Sequence, residues 1–182
     1  MSDAMTDADI RVRRLAHLDE AQIKALAEVL SDCVEGGASV SFMQPFSVDQ
    51  AQTFWRQVAD GVARQERALL VAEDAQGIVG TVQLVLAQPD NQPHRADLAK
   101  MLVRRRARRL GLGAALMSAA EGMARDCGKS LLVLDTVTGG DAERLYTRLG
   151  WTRVGEIPGY ALWPQGGLCS TTYFYKNVGA AG

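Results

Sequence analysis

Two groups of residues in this chain have types and spacings that suit chemistry. The first is the run from Val103 to Leu116, V-RRRARRLGLGAAL. Gly111 and Gly113 remove side chains where backbone N–H groups would point outward. An apolar helical pattern starts there, and a helix N-terminus adds partial positive charge, so the loop suits a phosphate. Arg108 and Arg109 add formal charge beside it. The second is a carboxylate. Asp135 ends the apolar run Leu131–Leu134, where burial would raise its pKa toward that of a useful base. Each has a plainer reading. The loop reads equally as a solvated basic turn, and Asp135 as a cap of its strand end. Tyr146 reads as core in the stripe Ala142, Leu145, Tyr146, Leu149.

Known phosphate motifs narrow the first group. A dinucleotide fingerprint needs glycine at 116, where Leu116 stands, and a P-loop needs Gly-Lys-Ser/Thr, which is missing. A nucleic-acid-binding module using Arg104–Arg109 is a rival, but there is no second basic segment and the pI is near 6.1. The three cysteines, Cys33, Cys127 and Cys169, are widely spaced, so neither a metal site nor a disulfide framework is expected. Idle thiols suit a reducing compartment. The polar, acidic start lacks the features of a signal peptide, and no apolar run approaches bilayer length, so a cytoplasmic protein with no membrane partner is expected.

The elements that must position these groups are legible in the periodicity. The 182 residues carry 20 basic and 21 acidic side chains, and 47% are hydrophobic, as in one globular domain. Residues 1–9 and 179–182 read as flexible tails around a single domain over 10–178. Ile10–Leu15 alternates as a strand. Asp19/Gln22 and Ser47/Gln50 are capping boxes that open two helices, the second burying Ala51, Phe54, Trp55, Val58 and Val62. ALLVAED and GIVGTVQLVLA form a hairpin, and 96–103 is a third strand. A helix over 111–127, the strand LLVLDTV, a short helix over 140–149 and terminal strands complete the order β-α-α-β-β-β-α-β-α-β-β. This is an α+β layered fold with a mixed sheet.

Arg108-Arg109-Leu110-Gly111-Leu112-Gly113 resembles the pyrophosphate loop, Arg/Gln-x-x-Gly-x-Gly/Ala, of the GCN5-related N-acetyltransferase (GNAT) superfamily. DAERLYTRLGW resembles its later helix, with Tyr146 before Gly150–Trp151. The resemblance spans roughly residues 10–176 and is nearest to the tabtoxin-resistance type, which pairs an aspartate at the position of Asp135 with the tyrosine at 146. It implies a mostly antiparallel mixed sheet flanked by helices, with acetyl-coenzyme A as cosubstrate. It further implies cofactor contacts at Met101, Leu102 and Val103 and at Arg108, Arg109, Leu110, Gly111, Leu112, Gly113 and Ala114. Tyr146 and Asp135 would be the proton donor and base. Deprotonating a lysine-like amine at pH 7 costs about 4.6 kcal/mol, at ~1.36 kcal/mol per pH unit, so a base is useful. Phe42, Met43, Phe46, Tyr160 and Trp163 would lie in loops around the acceptor mouth. Phe42, Asp97 and Tyr160 are the chosen substrate contacts, although a surface salt bridge is an alternative for Asp97. Gly139 stands where many members carry a cofactor-contacting asparagine, which bears on the side-chain contact there. The expected acceptor is a small amine, tabtoxin-like, aminoglycoside, polyamine or amino-acid-like, with a peptide or protein amine as the alternative. A homodimer is a family habit that no residue here decides.

Overall fold

The computed structural model describes residues 10–179; the expected N-terminal tail and residues 180–182 lie outside the described residues. The elements follow the expected order: β1 Arg11–Leu15, α1 Glu20–Glu35, α2 Val48–Ala63, β2 Arg67–Asp74, β3 Gly77–Val85, β4 Arg95–Val103, α3 Leu112–Asp126, β5 Leu131–Val137, α4 Asp141–Arg148, β6 Thr152–Leu162 and β7 Leu168–Asn177. A single 3-10 turn, Arg105–Ala107, links β4 to the glycine loop.

Local sequence chemistry sets the helix boundaries. Asp19 and Gln22 exchange hydrogen bonds of 2.7 and 2.9 Å at the start of α1, and Ser47 and Gln50 do the same at 3.1 and 2.9 Å for α2. These reciprocal bonds satisfy N–H groups that the first turn leaves free. Gly128, at φ 73°, ends α3 in the left-handed conformation that glycine adopts without strain.

The seven strands lie in the order β1-β2-β3-β4-β5-β7-β6. Every pairing is antiparallel except β4 with β5. The nearly unbroken apolar runs of β2 and β3 follow from cover on both faces. Leu69, Val71 and Ile78 pack with α1 and α2 residues such as Leu26, Leu30 and Trp55, while Leu70, Val82 and Leu84 pack with Leu116, Met117 and Ala120 of α3. β6 is an edge strand, and nearly all its residues are exposed.

Two irregularities of β4 position the site. Thr81 pairs with Leu102 and Gln83 with Ala99, so Lys100 and Met101 together stand opposite Val82; Lys100 has φ 51°. This is a β-bulge, which bends the strand. β4 and β5 pair only through Arg95–Asp97 and Leu131–Val133. Beyond those pairs both strands continue without each other, which leaves an opening in the sheet.

Candidate active site

The glycine loop lies beside that opening. Gly111, at φ 77°, sits at the N-terminus of α3 in the left-handed region, and no side chain caps the helix. Gly113 is tight for a different reason: a Cβ there would meet a δ-methyl of Leu145 of α4 at 2.9 Å, and that side chain would have to shift. The first N–H groups of α3 therefore stay available for an anion, and the helix dipole adds to their attraction.

Three of the five arginines are consumed by the fold. Arg104 pairs with Glu28 at 3.2 Å, Arg105 with Asp32 at 2.9 Å and Glu35 at 3.4 Å, and Arg106 with Asp74 at 2.6 Å. The Arg105 backbone N–H also donates to Asp32 at 2.7 Å. Burial pushes the Asp32 carboxyl up, but the backbone and side-chain hydrogen bonds from Arg105 prevail and hold it below its ordinary value. These pairs tie the loop to α1 and to the end of β2. Arg108 and Arg109 have no carboxylate partner among the described residues. Arg108 donates from Nε to the Val103 carbonyl at 3.2 Å, which fixes the stem of its side chain. Arg109, at φ 65°, is exposed beside Gly111.

Tyr146 projects from α4 into the core and is 4% exposed. Its ring packs edge-on against Phe174 at 6.0 Å and beside Trp151 at 6.1 Å. Burial, and secondarily the Asp135 charge, raise its phenol pKa, so the hydroxyl stays protonated throughout the neutral range. Its hydroxyl has no hydrogen-bond partner among the described residues.

The other half of the cleft lies on the α1/α2 face of the sheet. Asp135 accepts a hydrogen bond from the Thr171 hydroxyl at 2.8 Å. Tyr173 pairs in register with Asp135, and its hydroxyl shares a 2.9 Å hydrogen bond with that of Tyr160. That bond, with burial and the Asp135 and Asp97 charges, pushes the Tyr173 phenol up to about 12. The α1–α2 loop forms the roof. Gln44 N–H donates to the Pro164 carbonyl at 2.8 Å and the Ser39 hydroxyl to the Leu162 carbonyl at 2.9 Å, which fastens the loop to the β6–β7 hairpin.

Several expectations need correction. Asp135 is exposed rather than buried. Phe42 and Phe46 are half-buried, with rings 4.7 Å apart, and Phe42 meets Phe54 edge-on at 5.3 Å. Phe54 is half-buried at the cleft rather than in the core. Tyr160 lies in β6, not in a loop. Asp97 is bonded to the Arg95 guanidinium and accepts from Gln88 at 3.2 Å, so its carboxylate is already engaged. Leu102 and Leu112 have buried side chains, which leaves only their backbone for a ligand, whereas Leu110 is exposed. Met101, Val103, Gly113 and Ala114 line the same stretch with partial exposure. Gly139 offers no side chain, and its N–H is taken by the Glu143 carboxylate. No motif marks Lys100, Arg67, Gln83, Thr171 or Tyr173. The signal they carry is polar residues at alternate positions of otherwise apolar strands.

The described residues hold no helix long and apolar enough to cross a membrane and no cluster of metal-ligating side chains. The fold is shared with many solved structures. An acetyltransferase, so assigned, from Salmonella typhimurium was solved with its cofactor acetyl-CoA; it is 21% identical, with 93% of this chain and 94% of that one covered and a TM-score of 0.74. An N-acetyltransferase from Staphylococcus aureus Mu50 is 14% identical over 94% and 100% of the two chains, with a TM-score of 0.77. A ribosomal-protein-alanine N-acetyltransferase from Brucella melitensis is 21% identical over 92% and 99%, with a TM-score of 0.75. The sequence profile of the acetyltransferase (GNAT) family matches residues 26–151. The chain belongs to this family: it is an acetyl-coenzyme A-dependent N-acetyltransferase.

Proposed function

We propose that the protein acetylates the primary amine of a small molecule that enters between the α1–α2 roof and the β6–β7 hairpin. One observation carries this reading. The opening between β4 and β5 joins an uncapped, doubly basic helix N-terminus on one side to a cleft with an exposed carboxylate on the other. Bound acetyl-coenzyme A supplies the acetyl group as a thioester. Arg108 and Arg109 and the backbone N–H groups of Gly111 to Ala114 would hold its pyrophosphate, and the edge of Met101 to Val103 that faces β5, beyond the last β4–β5 pair, would orient the acetyl carbonyl. Tyr146 holds a proton at Oη. Asp135, steadied by Thr171, accepts a proton from the incoming ammonium, directly or through water; exposure suits a relay better than a buried base.

The fastened roof favours a small acceptor over a folded protein surface. The resemblance to the tabtoxin-resistance type points the same way. The nucleic-acid alternative loses support because Arg104, Arg105 and Arg106 are already neutralised within the fold. The free thiols Cys33, Cys127 and Cys169 suit a cytoplasmic setting.

The test is a panel of amines assayed with acetyl-coenzyme A for released thiol and for acetylated product. Turnover of one or more small amines supports the reading. Acetylation of peptide N-termini alone, with no small amine turned over, refutes it.

A further inference from the structure

Beneath α2 the sheet carries polar side chains that the transfer chemistry does not use. Arg67 of β2, Gln83 of β3 and Lys100 of β4 lie on neighbouring strands on the α1/α2 face; Gln83 pairs in register with Leu69 and with Ala99, the residue before Lys100. Arg67 Nη1 donates to Gln83 Oε1 at 2.9 Å. Gln83 is 0% exposed, and its amide Nε2 has no hydrogen-bond partner. Lys100 Nζ donates to the Ser41 hydroxyl of the roof at 3.1 Å and sits 5.9 Å from the Phe54 ring centroid. Neither Arg67 nor Lys100 has a carboxylate partner among the described residues.

This arrangement runs against the usual pattern. Buried amide groups are nearly always paired, and leaving one unpaired costs about 1–3 kcal/mol. Two cations share the place with it and repel each other. Burial lowers the Lys100 pKa, Arg67 lowers it further, and the Asp135 charge opposes both. The acids near this patch are Asp135, exposed on β5, Glu66, which Arg64 already holds, and Asp97, which Arg95 already holds. An anion seated among the three side chains would accept from all of them and remove the repulsion. The bulge matters here, because it sets Lys100 on the cleft face while Met101 packs against the core of the other face.

We propose that Arg67, Gln83 and Lys100 form an oxyanion subsite of the acceptor cleft, so that the acceptor is an amine that also carries a carboxylate. Its ammonium is directed to the exposed carboxylate of Asp135, whose one side-chain hydrogen-bond partner among the described residues is Thr171, and its carboxylate to the cations without carboxylate partners. The subsite rests on the small-acceptor reading and narrows it to zwitterions. Lys100 is then a specificity-determining residue, chosen by the bulge, and the half-buried aromatic wall of Phe42 and Phe54 bounds the cleft beside it.

The experiment compares matched pairs that differ only in the carboxylate: L-phenylalanine with phenethylamine, and L-methionine with 3-(methylthio)propylamine. The wild-type protein is expected to prefer the amino acid of at least one pair by tenfold or more in kcat/KM. In Lys100→Met that preference ratio falls at least tenfold, mainly through KM for the amino acid. Lys100→Arg, which keeps the charge, retains more of the ratio than Lys100→Met. A wild-type preference for the decarboxylated amines, or a ratio that Lys100→Met leaves unchanged, overturns the proposal while the acetyltransfer to small amines stands. Turnover of neither member of either pair overturns it too; acetyl-coenzyme A titration of the same sample then shows whether cofactor binding survives. Gln83→Leu, expected to remove the same preference, is compared with wild type by thermal unfolding so that a folding defect is recognised.

Discussion

The two halves of the proposed site, one for the cofactor and one for the acceptor, are built by different rules. The cofactor half is one short stretch, Met101 to Ala114, whose contribution is mostly backbone: the unpaired edge of β4, a left-handed glycine and free N–H groups at the start of α3. The acceptor half draws side chains from β2, β3, β4, β5, β7 and the α1–α2 loop. A backbone site tolerates changes of side-chain identity but not of conformation. A side-chain site on a sheet has the opposite sensitivity. The first suits a pyrophosphate, which any set of free N–H groups can hold, and the second an acceptor told apart by its own side chain.

The sharpest break between the halves is expected at Tyr146, the proton donor of the proposed site. Tyr146→Phe keeps the ring packing against Phe174 and Trp151 and removes only the hydroxyl. Turnover should fall by about 10²-fold, in line with the loss of a positioned proton donor, with acetyl-coenzyme A affinity unchanged. Steady-state kinetics with full turnover would return Tyr146 to a purely packing role.

Conformation is the variable to change in the cofactor half. Gly111→Val forces a branched side chain into φ 77°, at a cost of about 1–2 kcal/mol or more. Acetyl-coenzyme A affinity should drop about tenfold or further, whereas Leu110→Ala, one residue away and 62% exposed, should leave it nearly unaltered. Equal losses at both positions, read by calorimetric titration, would show that side chains and not backbone conformation carry the binding.

Charge provides a finer comparison within the arginine run. Arg109→Ala should weaken acetyl-coenzyme A binding several-fold at low salt, and the difference should shrink as salt screens the exposed charge. Arg106→Ala should not affect cofactor binding. It should cost about 1 kcal/mol of stability, because the Arg106 end of the pair is open to water although Asp74 is mostly covered. The Arg106 hydrogen bond holds the Asp74 carboxyl below its ordinary value. That contribution is fully present above the unfolded aspartate pKa of about 3.9 and is lost as pH falls through the lower folded value. Urea unfolding of wild type and Arg106→Ala should therefore differ at pH 7 and converge toward pH 2. A gap that persists unchanged at pH 2 contradicts this assignment.

The same contrast explains how far the sequence could be read. The helix starts at Asp19 and Ser47, the order of elements and the glycine loop all follow from residues that are near neighbours in the chain. Asp135 is legible as a candidate base from its place at the end of an apolar run, whereas Tyr146 is legible as a candidate donor only with the family resemblance. The exposure of Asp135 was not legible: the apolar run Leu131–Leu134 says that β5 is buried, but where β4 leaves it is set by the pairing with Asp97, a long-range fact. The neutralised arginines escaped for a similar reason, since their partners Glu28, Asp32 and Asp74 lie on α1 and β2. Lys100 and Gln83 look like ordinary alternating polar residues until the bulge and the sheet register bring them to one place.

The central claim is that the loop from Arg108 to Ala114 recognises the pyrophosphate end of acetyl-coenzyme A. Calorimetric titration of the wild-type protein with acetyl-coenzyme A and with S-acetylpantetheine, which lacks the pyrophosphate and nucleotide, tests it directly. Saturable 1:1 binding of acetyl-coenzyme A, with S-acetylpantetheine weaker by about 100-fold or more, is the expected result, since several hydrogen bonds to a charged group contribute ~1.5–3 kcal/mol each. Equal affinity for the two compounds, or no binding of acetyl-coenzyme A, contradicts it.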